Sequence, residues 1–269
     1  MGKKIGLFLV LLACLLAVSS VFAQVTDTGP KSRIGIMSAM DTEIELLLAN
    51  ADSEYGDQVG GMVFHVGKLC GKDVVIVRAG IGKVLAAAGT AALFNRYDIS
   101  SLIFTGVAGG LIDETNVLDM VIATDLVQHD FGTIRDGINE RKFDWSSTHD
   151  NTNGGFYPCD SSLVDLAYNA AAETIGADRV FKGTISTGDQ FVASAFYVKE
   201  LREKFDAIAT EMEGAAVAAV CSLYDVPFVV LRSMSDKADG VARETYENFV
   251  DIAADNSCTV VMKMLENMK

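Results

Sequence analysis

Only 3 Pro, 3 His and 1 Trp occur among the 269 residues, and the 22 Lys and Arg fall well short of the 36 Asp and Glu. The resulting formal charge of -14 leaves no basic surface for phosphate contacts, which excludes a general nucleic-acid binder. Three His and five Cys leave little room for a metal-rich site, and His65, His129 and His149 show no metal-ligand spacing. What is present is globular: 50% hydrophobic and 22% charged residues, far from the profile of disorder and enough for one large core.

The chain starts with Lys3 and Lys4, an apolar run from Ile5 to Val21, and small residues at Val21 and Ala23 before Gln24. This is the tripartite form of a secretory signal peptide, so residues 1–23 are expected to be removed and 24–269 to form a single domain. An uncleaved anchor is the alternative, and Leu11-Leu12-Ala13-Cys14 is a poorer lipoprotein site because Leu12 is bulky. The expected location is therefore exported, periplasmic or secreted, without stable membrane insertion after cleavage. Cys70, Cys159, Cys221 and Cys258 could form two disulfides in such a compartment. Cys70 and Cys221 lie in apolar surroundings, read as buried small hydrophobes, and favour free thiols.

Short β-branched runs alternate with Ala-rich stretches. Strands are expected at 33–38, 62–66, 73–79, 101–105, 120–124, 180–186, 207–210 and 228–232. Helices are expected at 42–49, 83–97, 162–175, 195–205, 214–224 and 247–267. Several strands are continuous apolar runs, which suits a sheet buried on both faces. The expected fold class is α/β: a three-layer sandwich with a central mixed, largely parallel twisted sheet flanked by helices. Gln128 to Tyr157 is polar and turn-rich, a functional or mobile loop carrying Trp145. That Trp is read as packing against the domain body, the alternative being a lid or a subunit contact.

Gly80-Ile81-Gly82-Lys83 lacks the third Gly of a dinucleotide loop and the spacing of a phosphate loop, so it reads as a tight strand-to-helix turn. No G-x-S-x-G elbow is present. The acids are more informative. Asp41 and Glu43 follow the first strand, Glu211 and Glu213 follow Ala209-Thr210, and Asp236 follows Arg232-Ser233-Met234-Ser235. Ligands of open α/β sheets bind beyond the carboxyl ends of strands, so these acids and Arg232 are expected to converge on one pocket. Gly106-Val107-Ala108-Gly109-Gly110 reads as a turn that lets a flat ligand or a sugar approach the backbone.

These motifs together resemble the nucleoside phosphorylase superfamily, and within it the 5′-methylthioadenosine/S-adenosylhomocysteine nucleosidase family. The match is carried by I-G-I-M-S-A-M-D-T-E at 34–43, A-G-I-G-K-V at 79–84 and T-G-V-A-G-G at 105–110. It continues with S-T-G-D-Q-F at 186–191, E-M-E-G-A-A at 211–216 and R-S-M-S-D at 232–236. E-M-E-G-A-A specifies only the superfamily, whereas A-M-x-x-E combined with S-D is much more specific.

The resemblance implies a nucleoside phosphorylase-like sandwich without cofactor or metal, acting on an adenine nucleoside and forming a homodimer. It implies that Glu43 activates the attacking water and that Asp236, beside Ser235, shares a proton with the base. Glu213 would bind the ribose hydroxyls, helped by Met212, while Arg232 and Glu211 hold the water site. Phe191 would stack on adenine and the Val192 backbone would read its edge. Ala39, Met40, Val107, Ala108, Gly109 and Tyr246 would line the remaining sugar or 5′-substituent region. A phosphorylase needs a cationic nest for phosphate. Met40 and Glu43 stand where the family's phosphate-binding Arg motif would lie, so hydrolysis is expected; Arg78 is the one nearby basic residue that argues otherwise.

Rival readings are another adenine nucleoside such as 6-amino-6-deoxyfutalosine, phosphorolysis, or an exported nucleoside-binding or surface-adhesive protein. Two departures stand out. Val107 replaces a frequent Ser, and Asp136 to Gly155 is longer than expected where relatives close over the 5′-group. Export is also unusual for an enzyme of methionine salvage.

Overall fold

A computed structural model describes residues 32–134, 141–142 and 155–268. The leader segment and Trp145, with most of its loop, lie outside the described residues.

The strands are β1 (Arg33–Ser38), β2 (Asp52–Val59), β3 (Met62–Leu69), β4 (Lys72–Arg78), β5 (Ile99–Gly110) and β6 (Met120–Gln128). They continue with β7 (Thr133–Ile134), β8 (Arg141–Lys142), β9 (Phe156–Pro158), β10 (Val180–Thr187), β11 (Ala207–Glu211) and β12 (Phe228–Asp236). The helices are α1 (Glu45–Asn50), α2 (Lys83–Arg96), α3 (Ser161–Ile175), α4 (Ala195–Phe205), α5 (Gly214–Tyr224) and α6 (Ala242–Asn267).

One sheet runs in the order β11-β10-β6-β12-β5-β1-β4-β3-β2, with β9 added beside β6. The neighbours of β1, and the pairs β12–β5, β10–β6 and β10–β11, are parallel, whereas β12 runs antiparallel to β6. The far ends of β11 and β5 also pair, Thr210 opposite Gly109 and Ala209 opposite Gly110. This pairing closes β5, β12, β6, β10 and β11 into a ring.

The apolar run of β4 explains the layering. Val75 and Val77 join a core with Ala86 and Leu93 of α2 and Val217 and Cys221 of α5. Val74 and Ile76 point to the opposite core, with Val164 and Ala167 of α3 and Val261 and Leu265 of α6. Period-2 alternation thus feeds two cores from one strand. Each buried Val or Ile contributes roughly 1.5–3 kcal/mol to holding the layers together. Asp160 caps α3 by accepting the Leu163 N–H at 3.0 Å, and Gly176, at φ 95°, ends it.

Four expectations need correction. Gly106 to Gly110 is no turn but the extended end of β5, because its backbone pairs with β12 and β11. β2 went unforeseen: its sequence, D-S-E-Y-G-D-Q-V, is polar and sits on the sheet edge. Cys70 is exposed, at φ 50° in the β3–β4 turn, although Cys221 is buried. α6 begins at Ala242, five residues ahead of the expected start. All four described cysteines are free thiols. No helix among the described residues is long and apolar enough to cross a membrane.

Candidate active site

A cavity of about 280 Å³ opens where β1, β5, β11 and β12 end. Its wall takes Ala39, Met40 and Glu43 from the turn after β1, and Val107, Ala108 and Gly109 from β5. Phe191 and Val192 enter from the loop after β10. Glu211, Met212 and Glu213 enter from the end of β11, Ser235 and Asp236 from β12, and Tyr246 from α6. These fourteen residues come from six segments distant in sequence. Arg232 lies behind the wall, fully buried.

Glu43 is held by backbone donors from two elements. Its Oε2 accepts the N–H groups of Ala39 (3.0 Å) and Met40 (2.8 Å), and Oε1 accepts that of Val107 (3.0 Å). Burial pushes its pKa above the usual carboxylate range, opposed by Arg232 and these N–H groups. Burial thus makes the Glu43 carboxylate a stronger base than an exposed one. From behind, the Cys258 thiol donates to the Glu43 carbonyl at 3.0 Å.

Arg232 ties the two acids of the E-M-E motif together. Its Nη2 is 2.5 Å from Glu211 Oε2 and 3.7 Å from Glu213 Oε2. Its guanidinium also stacks over Phe104, 4.3 Å from the ring centroid. Glu211 Oε2 further accepts the N–H groups of Glu213 (3.1 Å) and Gly214 (2.7 Å), and the Thr187 hydroxyl donates to Oε1. Glu211 is therefore held in place by four donors. Glu213 is freer: its Oε1 accepts the Gly82 N–H at 2.8 Å, and burial, with the Glu211 charge adding, raises its pKa to about 8.

Asp236 closes the opposite end. Its Oδ2 accepts the Ser235 hydroxyl at 2.9 Å and its Oδ1 accepts the Ala238 N–H at 2.7 Å. Burial raises its pKa above the ordinary value despite both donors, which favours a protonated acid. Phe191 and Tyr246 meet edge to face with ring centroids 5.6 Å apart, and the Tyr246 hydroxyl donates to Met40 Sδ at 3.4 Å. Arg78 takes no part: it is exposed and paired with Asp41 at 2.9 Å.

Sequence reasoning missed several contributors. Ile81, Gln190, Thr210 and Arg243 also line the cavity. Gly106 matters most, since a Cβ there would lie 2.4 Å from Arg232 Nη1 and 2.5 Å from Glu43 Oε1. Its signal was visible, a Gly inside an apolar strand, which marks a close approach of other groups. Ser257 had no signal. It reaches from α6 to Thr105 Oγ1 at 2.5 Å and accepts the Gly106 N–H at 3.3 Å.

A mixed sheet covered by helices on both faces, with carboxylates gathered at its strand ends, defines the nucleoside phosphorylase-like class of α/β proteins. The family described as the phosphorylase superfamily matches residues 33–266. Within it, the chain belongs to the 5′-methylthioadenosine/S-adenosylhomocysteine nucleosidase family. The nucleosidase of that name from Aeromonas salmonicida is 35% identical over 234 residues, covering 87% of this chain and 98% of the relative. The one from Bacillus thuringiensis is 36% identical over 240 residues, covering 88% and 100%. The Helicobacter pylori nucleosidase solved with butyl-thio-DADMe-Immucillin-A superposes with a TM-score of 0.80 at 33% identity, covering 89% of this chain and all of that one. A futalosine hydrolase of Helicobacter pylori superposes at 0.79 with 32% identity, covering 88% and 98%.

Proposed function

We propose that this protein hydrolyses the N-glycosidic bond of 5′-methylthioadenosine, S-adenosylhomocysteine or both, releasing adenine and a 5-thioribose product. Glu43 takes a proton from water as the water oxygen bonds to C1′ of the ribose. The C1′–N9 bond breaks, and Asp236 delivers a proton to N7 so that adenine leaves neutral. Positive charge that grows on the sugar ring faces Glu43, with Asp236 on the leaving-group side, as acids flank the bond in two-carboxylate glycosidases. Glu213 holds the ribose hydroxyls, Phe191 stacks on the base, and the Val192 backbone reads its edge.

The observation that carries hydrolysis over phosphorolysis is the set of acids, Glu211, Glu213 and Glu43, around Arg232. Its Nη2 is engaged by Glu211 and Glu213, and a carboxylate, Glu43, occupies the nucleophile end. Arg243 lines the cavity too, but it is exposed and paired with Glu247 at 3.0 Å. A phosphate would meet anions where it needs cations.

Two further parts of the reading concern the setting. Ile81 lines the cavity yet is 54% exposed, beside Val84 (77%) and Leu85 (47%) on the first turn of α2. A second copy of the chain covering this turn completes the cavity in a homodimer. The leader-like residues 1–23 support export, so the enzyme acts on nucleosides outside the cytoplasm rather than in cytoplasmic methionine salvage.

Protein lacking residues 1–23 tests the reading. It is incubated with methylthioadenosine, S-adenosylhomocysteine, adenosine and 6-amino-6-deoxyfutalosine, with and without phosphate. Adenine released from the thio-nucleosides without phosphate is the expected result. A strict phosphate requirement with a pentose 1-phosphate product, or turnover of the futalosine derivative alone, would overturn it.

A further inference from the structure

Behind Phe191 and Glu213, three residues from three segments close a polar ring. Lys83 Nζ lies 2.5 Å from Asp130 Oδ1. The other oxygen of that carboxylate accepts the Asp189 N–H at 2.9 Å, and Asp189 Oδ1 accepts the Lys83 N–H at 2.8 Å. The Lys83 and Asp130 side chains are only 16% and 12% exposed. Burial alone would raise the Asp130 pKa, but Lys83 and the Asp189 N–H outweigh it and hold the carboxylate below its ordinary value. An exposed ion pair is worth little, whereas a mostly buried one leaves an uncompensated charge when either partner goes.

The ring touches both halves of the cavity. Gly82, one residue before Lys83, donates its N–H to Glu213 Oε1. Gln190 and Phe191, directly after Asp189, enter the cavity wall. The loop backbone has no slack on its other side, because a Cβ on Gly188 would sit 2.2 Å from His129 Nε2. His129 itself precedes Asp130 and is buried.

We propose that Lys83, Asp130 and Asp189 are positioning residues that lock the base-facing loop to the ribose-facing carboxylate, so that base and sugar are gripped as one unit. None of the three lines the cavity; they act through Phe191 and Glu213. The inference rests on the nucleosidase reading, since it assumes that Phe191 meets the base. Opening the ring lets the loop drift, and a displacement of about 1 Å at a positioning element costs up to about 100-fold in turnover efficiency.

The test compares Lys83→Met, Asp130→Asn and Lys83→Arg with the unsubstituted protein, measuring kcat, KM and the Kd for adenine. The first two are expected to raise KM and the adenine Kd about tenfold, with a smaller fall in kcat and a melting temperature lowered by the unpaired buried charge; such losses are within the range for misplaced binding groups. Lys83→Arg, which keeps the ion pair, restores most of the loss. Amide hydrogen exchange at residues 188–193 rises in Lys83→Met. Phe191→Ala added to Lys83→Met costs less than it does alone, because both act through one ring. Unchanged KM and adenine Kd in the two ring-breaking variants, or a full multiplicative loss in the double variant, overturns the latch. Absence of turnover by the unsubstituted protein overturns the nucleosidase reading instead. The adenine Kd of the variants still decides the latch in that case.

Discussion

Arg232 and Glu211 form a buried ion pair, 2.5 Å from Nη2 to Oε2, with both side chains at most 2% exposed. The pair is the floor on which the reactive carboxylates stand. Glu43 contacts no side chain of that pair by a hydrogen bond, yet it feels the guanidinium charge. Removing one partner, as in Glu211→Ala, leaves a buried charge and is expected to cost about 3–5 kcal/mol of stability. Urea unfolding measures this, and an unchanged midpoint would show that the pair is dispensable.

Asp236→Asn retains the shape of the proposed leaving-group acid without its acidic proton. kcat is expected to fall about 10²–10⁴-fold, the usual contribution of a positioned acid. Adenine affinity should change far less. Retained turnover in a steady-state assay removes Asp236 from the proton-donor role.

Gly106→Ala inserts one methyl between Glu43 and Arg232, at 2.5 and 2.4 Å from them. Arg232 is buried behind the wall, whereas Glu43 borders the cavity and gives way into it. The expected result is a folded protein with kcat lowered about 100-fold by displacement of Glu43. Circular dichroism and single-turnover kinetics together check it, and normal kinetics in a well-folded variant would count against the assigned place of Glu43.

Glu213 binds its proton more tightly in the fold than in the unfolded chain, with the pKa raised from 4.5 to about 8. A raised carboxylate pKa contributes stability that is complete below the unfolded value and is lost as pH climbs through the folded one. Glu213→Gln has no such loss. Its melting temperature relative to the unsubstituted protein is expected to improve between about pH 5 and pH 8.5. A gap independent of pH contradicts the shift.

Val84→Asp places a charge on the exposed apolar turn of α2, where Val84 is 77% exposed. If a second copy covers that turn, the variant is expected to run as a monomer in light scattering and to lose turnover of 5′-thio substrates. A dimer that persists with full activity locates the contact elsewhere.

Much of the fold was legible because local chemistry and burial agreed. The apolar runs at Val74–Val77 and Phe228–Leu231 lie between two helical layers, so strand identity followed from composition alone. β2 escaped because an edge strand need not be apolar: D-S-E-Y-G-D-Q-V joins the sheet by backbone pairing with β3. Gly106 to Gly110 misled because five residues with three glycines look like a turn. Closing the ring from β5 to β11 needs that small, flat surface in extended form.

By itself the sequence determined the alternation of strands and helices, the acids at strand ends and the family pattern that names them. Those are properties of short segments, where side-chain period and motif spacing are enough. Only the tertiary structure decided that Arg232 pairs with Glu211 through Nη2 while its Nε and Nη1 are left without a hydrogen-bond partner among the described residues. It alone placed Gly106 between Glu43 and Arg232, and joined Lys83, Asp130 and Asp189 behind the base-facing loop. The physical reason is distance along the chain: Glu211 and Arg232 are 21 residues apart, and Lys83 and Asp189 are 106 apart. Such contacts exist only after the sheet has set its register, and no local preference encodes them.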